Sequence, residues 1–104
     1  MPTPARGEVW MVDLGLAQKV RPAVILSVGY SETDRALITV IPHTTKPRGS
    51  EFEIVVPVAF LSRGAFVAQS VTTIPVKWAL RRIGQLAGEE LSLVEDGVRR
   101  WLNL

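Results

Sequence analysis

Arg21-Pro22-Ala23-Val24-Ile25-Leu26-Ser27 is a short apolar run entered through a fixed cation. Pro22 suits the start of a strand, where a missing N–H costs little. Ala23 to Leu26 are apolar without alternation, so this strand is buried on both faces and central in a sheet. A second run, Ala36-Leu37-Ile38-Thr39-Val40-Ile41, reads as another strand and gives way after Pro42 to the polar string His43-Thr44-Thr45-Lys46. Residues 29–35 between them are polar and turn-like. If the two runs pair antiparallel, Arg21 and Thr44 come to the same end of the sheet.

Working outward, Glu8-Val9-Trp10-Met11-Val12-Asp13-Leu14 is an earlier strand with Trp10, Val12 and Leu14 on one face. Gly15 breaks it, and the short connection to Arg21 predicts a hairpin. Lys46-Pro47-Arg48-Gly49-Ser50 is a basic loop. Glu51-Phe52-Glu53-Ile54-Val55-Val56 alternates, with Phe52, Ile54 and Val56 facing inward. Leu61-Ser62-Arg63-Gly64 reads as a turn. Ala65-Phe66-Val67-Ala68-Gln69-Ser70 reads as a strand extended by Val71-Thr72-Thr73-Ile74. Pro75 then opens one helical turn, and Arg82-Ile83-Gly84-Gln85-Leu86 is a last short strand.

Only the C-terminal segment has a helical period. Leu91, Val94, Val98 and Trp101 form one apolar stripe, with Glu89 and Glu90 in the first turn and Arg99 and Arg100 in the last, both favourable for the helix dipole. Gly97 weakens the middle by about 1 kcal/mol relative to alanine and marks a site of close packing. Short strands, frequent Gly and Pro and one terminal helix predict a mostly β (α+β) fold, a small curled antiparallel barrel.

The 104 residues suggest one domain spanning 1–104, and 47% hydrophobic content can fill its core. With no cysteine, disulfides and thiolate metal sites are excluded. The first residues, Met1-Pro2-Thr3-Pro4-Ala5-Arg6, lack the apolar stretch of a secretory signal, and no run approaches the ~20 residues of a membrane helix. A cytoplasmic protein that does not engage a membrane is the expectation. The net charge of +2 permits a polyanionic partner without demanding one. Basic residues flank the two central runs: Lys19 and Arg21 on one side, Lys46 and Arg48 on the other.

The residue types narrow the chemistry. There is a single histidine, His43, with no carboxylate pair near it at ligand spacing, so no metal or other cofactor is expected. No Gly-rich phosphate loop joins a strand to a helix. What remains is Arg21 with Thr44 and Thr45. Arginine stays protonated at any working pH and can stabilise charge developing on a phosphate, while a threonine hydroxyl donates to a phosphate oxygen. That set suits metal-free RNA cleavage, in which the ribose 2′-OH attacks the adjacent phosphorus; DNA lacks this hydroxyl. The same residues also fit a surface charge at a strand edge and ordinary β-forming threonines. His43 has an unperturbed pKa suited to a general base, but in an unbroken strand it faces away from Thr44. Trp10, Trp78 and Trp101 read as core or interface anchors.

In order and spacing, the chain resembles the MazF/PemK (Kid) family of toxin–antitoxin ribonucleases over nearly its whole length. The matching pieces are residues 6–14, residues 21–27, Val40-Ile41-Pro42-His43-Thr44-Thr45, Thr72-Thr73-Ile74-Pro75, residues 82–86 and the final helix ending Val98-Arg99-Arg100-Trp101-Leu102-Asn103-Leu104. The resemblance implies an SH3-like barrel with a C-terminal α-helix, working as a homodimer. It implies a metal-independent endoribonuclease that cuts single-stranded RNA at short sequences, leaving a 2′,3′-cyclic phosphate and a 5′-hydroxyl. It puts the catalytic arginine on Arg21 and the catalytic threonine on Thr44, with Thr45, Lys19, Lys46 and Gln69 contributing to RNA placement. It also implies a cognate antitoxin whose acidic, disordered C-terminal segment covers the RNA groove.

Two departures from the family pattern stand out. The connection of residues 15–20 is shorter than the loop many relatives carry over the site. Val67 and Gln69 stand where some relatives place an arginine and an acidic residue; Val67 cannot replace a guanidinium. Two further readings keep the fold: a CcdB-like toxin that binds gyrase, and an RNA-binding module without catalysis.

Overall fold

A computed structural model describes residues 3–15 and 19–104. Among the described residues seven strands appear in chain order: β1 (Glu8–Asp13), β2 (Val20–Ile25), β3 (Leu37–Thr44), β4 (Glu53–Ile54), β5 (Ala65–Val67), β6 (Thr72–Pro75) and β7 (Ala79–Gln85). A single α-helix, α1 (Gly88–Leu102), ends the chain, and two 3-10 turns lie at Ala68–Ser70 and Val76–Trp78. All pairings are antiparallel, in the order β4-β5-β3-β2-β1-β7, with β6 also on β3. The sheet curls like a barrel without closing into one.

The unalternating run of β2 is central, as its pattern requires. It pairs with β1 from Val20 to Val24 and with β3 from Ala23 to Ile25. Pro22 faces only Met11 of β1, before the pairing with β3 begins. Both faces of β1, β2 and β3 are filled. On the helix side, Val9, Val24, Ile41 and Phe66 pack with Val94 and Val98. On the other, Trp10, Val12, Ala23, Ile25, Ile38, Val40 and Ile74 form a second cluster with Leu14 at its margin.

Three expectations need correction. First, β3 does not stop at Ile41 but runs through Thr44. Pro42 is opposite Ala23, and beyond it His43 and Thr44 pair with Phe66 and Ala65, so a partner distant in sequence sustains the strand. Second, residues 65–74 are not one strand. β5 pairs with the end of β3, β6 pairs with Leu37–Val40, and the 3-10 turn Ala68–Ser70 takes up a three-residue slip in register between them. Third, the alternating segment around β4 pairs over only two residues, although Phe52 and Ile54 are half-buried and Val56 is buried. Its inward face is as the alternation predicts.

The helix buries Val94 and Val98 of the expected stripe and half-buries Leu91, while Trp101 at its end stays exposed. Ala87 N–H donates to Glu90 Oε1 at 2.7 Å at its start, and Asn103 ends it in the left-handed region. Gly97 is a close-packing site: a Cβ there would overlap the Ile54 side chain, with Cγ1 at 2.9 Å. Trp101 meets Phe52 edge-on, with centroids 5.2 Å apart. Trp10 is a core residue, while Trp78 and Trp101 are partly exposed.

Candidate active site

Alternation along two paired strands decides which side chains share a face. In β2, Ala23 and Ile25 belong to the cluster away from the helix, so Arg21 lies on that face. In β3, Ile38 and Val40 belong to the same cluster, so Thr44 lies there too. The β2–β3 register ends with Ala23 opposite Pro42; continued two residues further out it directs Arg21 and Thr44 to the same end of the sheet, where both line one cleft. On its other side Arg21 is opposite Val12.

Here the sheet opens into a cleft of about 460 Å³ lined by Lys19, Arg21, His43, Thr44, Thr45 and Lys46, with Leu61 and Ser62 opposite. Three of its lining residues are cationic, and no carboxylate is among them. Lys46 N–H donates to Thr44 Oγ1 at 3.1 Å. With that lone pair engaged, the Thr44 hydroxyl can turn its own proton toward a ligand. Lys19 adopts a left-handed backbone, φ 58°, which costs a non-glycine residue roughly 1 kcal/mol. Its N–H donates to the Gly15 carbonyl at 2.8 Å and its carbonyl accepts from Leu14 N–H at 3.1 Å, closing the base of the hairpin.

His43 lies on the opposite face from Thr44, as the alternation requires. It is 5% exposed, edge-on to Phe66 at 5.0 Å between centroids. Burial pushes its pKa below the ordinary value, so the ring is neutral at pH 7. Residues 61–64 lie close over this end of β3 because Gly64 has no side chain. A Cβ there would collide with the Thr44 carbonyl and come within 2.8 Å of His43 Cε1.

Of the residues singled out in the sequence, the cleft brings together Lys19, Arg21, His43, Thr44, Thr45 and Lys46, with His43 otherwise buried. Gln69 sits on the exposed 3-10 turn and does not line it. Neither does Arg48, whose N–H donates to the Glu53 carboxylate at 2.9 Å; this and the Ser50 N–H hold the Glu53 pKa low. The sequence reading missed Leu61 and Ser62. Both belong to a stretch that reads locally as a turn, and nothing in its pattern shows that it folds back onto β3. Among the described residues, no three His, Asp or Glu side chains gather as metal ligands.

A family model described as the PemK-like, MazF-like toxin of type II toxin–antitoxin systems matches residues 5–102. No curated protein matches the chain. Among solved structures, MazF from Deinococcus radiodurans is similar at a TM-score of 0.85 and 19% identity, covering 100% of both chains. A MazF toxin of Mycobacterium tuberculosis has a TM-score of 0.77 and 27% identity over 93% of this chain and 97% of its own. A mycobacterial endoribonuclease, solved in complex with its cognate antitoxin, has a TM-score of 0.82 and 20% identity over 97% and 96%.

Proposed function

Because the chain belongs to the PemK-like, MazF-like toxins of type II toxin–antitoxin systems, we propose that it is a metal-independent, sequence-specific endoribonuclease acting on single-stranded RNA. The observation that carries this reading is that Arg21 and Thr44 lie on one face and line one cleft whose charged lining is wholly cationic.

The chemistry follows from those groups. The ribose 2′-oxygen forms a bond to phosphorus as the bond to the 5′-oxygen breaks, leaving a 2′,3′-cyclic phosphate and a 5′-OH. The proton lost by the 2′-OH and the one gained by the 5′-oxygen exchange with water in the open cleft. Negative charge builds on the non-bridging oxygens, where the Arg21 guanidinium stabilises it. Thr44 Oγ1 donates to the same phosphate, and Thr45, Lys19 and Lys46 hold the strand on either side. Gln69, outside the cleft, serves a more distant part of the RNA.

The same cationic lining suits the acidic, disordered C-terminal segment of a cognate antitoxin. A homodimer completes the reading, since it would cover apolar side chains left exposed, among them Trp78 and Leu80. We place the protein in the cytoplasm, where its RNA substrate is.

Primer extension on a long RNA in EDTA tests the assignment. Wild type should cut at a short recurring sequence, and Arg21→Ala should cut about 100- to 1,000-fold more slowly while its circular dichroism shows the wild-type fold. If wild type leaves the RNA intact in EDTA, the ribonuclease reading fails. Growth arrest that survives Arg21→Ala would point instead to a toxin acting by binding protein.

A further inference from the structure

Beside the cationic cleft lies a larger cavity of about 730 Å³, within the range of roughly 300–1,000 Å³ typical of small-molecule sites. Its walls are aliphatic: Val55, Pro57, Val58, Ala59 and Leu61. Thr45, Leu61 and Ser62 line both cavities, so the two adjoin along a shared rim. Arg63 is its one charged lining residue.

Why these apolar groups face outward is plain from the chain. Val56 turns into the core, so its neighbour Val55 faces solvent and is 63% exposed. After Ile54 the chain leaves the sheet, and Pro57 has no N–H to rejoin one. Leu61 N–H donates to the Val58 carbonyl at 3.3 Å, closing the turn that forms the far wall. Gly64 then lets that wall lie directly against the carbonyl of Thr44.

We propose that this apolar extension takes the base of a nucleotide adjacent to the scissile phosphate and thereby sets sequence preference. The proposal rests on the ribonuclease reading of the neighbouring cleft. A nucleotide joins an anionic phosphate, through a sugar, to a flat base with apolar faces and a polar edge. The protein offers the complementary order: cations and hydroxyls, then a shared rim, then aliphatic walls. A base packed between apolar side chains still needs its edge hydrogen-bonded. Thr45, Ser62 and Arg63 supply hydroxyls and a guanidinium for that purpose. An aliphatic side chain from an acidic peptide would fill the same walls but leave those three exposed polar groups to water, whereas a base edge gives each of them a partner.

An abasic scan provides the test. Primer extension first locates the cleaved bond; the RNA is then made with a 2′-deoxy sugar there, so that it binds without being cut. Each flanking position is made abasic in turn, and binding is followed by fluorescence anisotropy. Ala59→Phe fills the cavity from an exposed position, and circular dichroism and melting check that it folds as wild type does.

One abasic position should weaken wild-type binding about tenfold. Ala59→Phe should bind the intact RNA about tenfold more weakly and show no further loss at that position. Arg63→Ala should discriminate less among the four bases there, its affinities for them converging relative to those of wild type. An Ala59→Phe protein with the wild-type affinity and abasic profile overturns the proposal. So does one that binds RNA normally but loses affinity for a synthetic peptide of alternating acidic and leucine residues. If wild type cuts no RNA, the ribonuclease reading has failed separately. Binding of a randomised single-stranded decamer then decides the cavity's role: weaker binding by Ala59→Phe sustains it, and equal binding overturns it.

Discussion

Two adjacent residues at the end of β3, His43 and Thr44, show how differently the faces of this sheet are used. His43 turns toward the helix side, where the ring packs against Phe66 and under Gly64. Thr44 turns the other way, into a cleft with Arg21, Lys19 and Lys46. Both faces of the sheet are filled further along, but at this end of β3 they differ. The helix side stays packed, with His43 5% exposed although it is also among the residues lining the cleft, and the other side opens onto cations. Because both side chains hang from the same backbone, the packed face fixes the position of the open one. A phosphate-binding hydroxyl on a free loop would have to be ordered by its ligand, whereas Thr44 is held beforehand by pairing with Ala65.

The sharpest way to break this comparison is to damage one face at a time. Phe66→Ala should cost about 3–5 kcal/mol in urea denaturation, the loss seen when a fully buried aromatic side chain is truncated. Thr44→Val keeps the shape and β preference of the residue, and should cost under about 1 kcal/mol. Its cleavage rate should fall about 10- to 100-fold, the worth of one hydrogen bond to a charged group. If Thr44→Val destabilises the chain as much as Phe66→Ala does, the open face is structural and the division proposed here fails.

Gly64 is the one position where both faces can be disturbed together. Its missing Cβ makes room for the Thr44 carbonyl on one side and His43 Cε1 on the other. Backbone cannot yield as a flexible side chain can, so Gly64→Ala should cost about 1–3 kcal/mol and lower cleavage as well. An alanine variant with wild-type melting and wild-type cleavage would show that residues 61–64 do not hold this end of β3.

The two faces were not equally legible in the sequence. Alternation gave the inward positions Phe52, Ile54 and Val56, and the helical period gave Leu91, Val94 and Val98, because each pattern is local and repeats. The unalternating run from Ala23 to Leu26 identified β2 as central for the same reason. Arg21 and Thr44 were legible as a pair only through an assumed antiparallel pairing, which the register of β2 on β3 bears out. What local pattern could not carry was set by distant partners. The extension of β3 past Pro42 depends on β5, and the break at Ala68–Ser70 depends on both halves of that segment pairing with β3. The walls from Val55 to Ser62 were equally hidden, since only the folded chain lays them against the cleft.

The smallest effect tests the packed face alone, through pH. Burial lowers the His43 pKa below its unfolded value of about 6.5, so in mildly acidic solution the unfolded chain binds a proton that the folded chain resists. Stability therefore falls as pH drops through the unfolded value toward the lower folded one, and it is unaffected by His43 above that window. Phe66 and Gly64 pack against the ring without charge, and the charged groups that line the cleft with it, Lys19, Arg21 and Lys46, include no carboxylate that would favour its protonation. The carboxylates with lowered pKa values, Glu8, Asp34 and Glu53, titrate at lower pH and leave this window clear. Melting curves from pH 7.5 to 5 should show a decline for wild type that His43→Gln flattens, whatever the variant's absolute stability. An equal slope in both proteins would mean that the imidazole is freely protonated in the folded chain. The packed face would then be open to water, and the contrast with Thr44 would be lost.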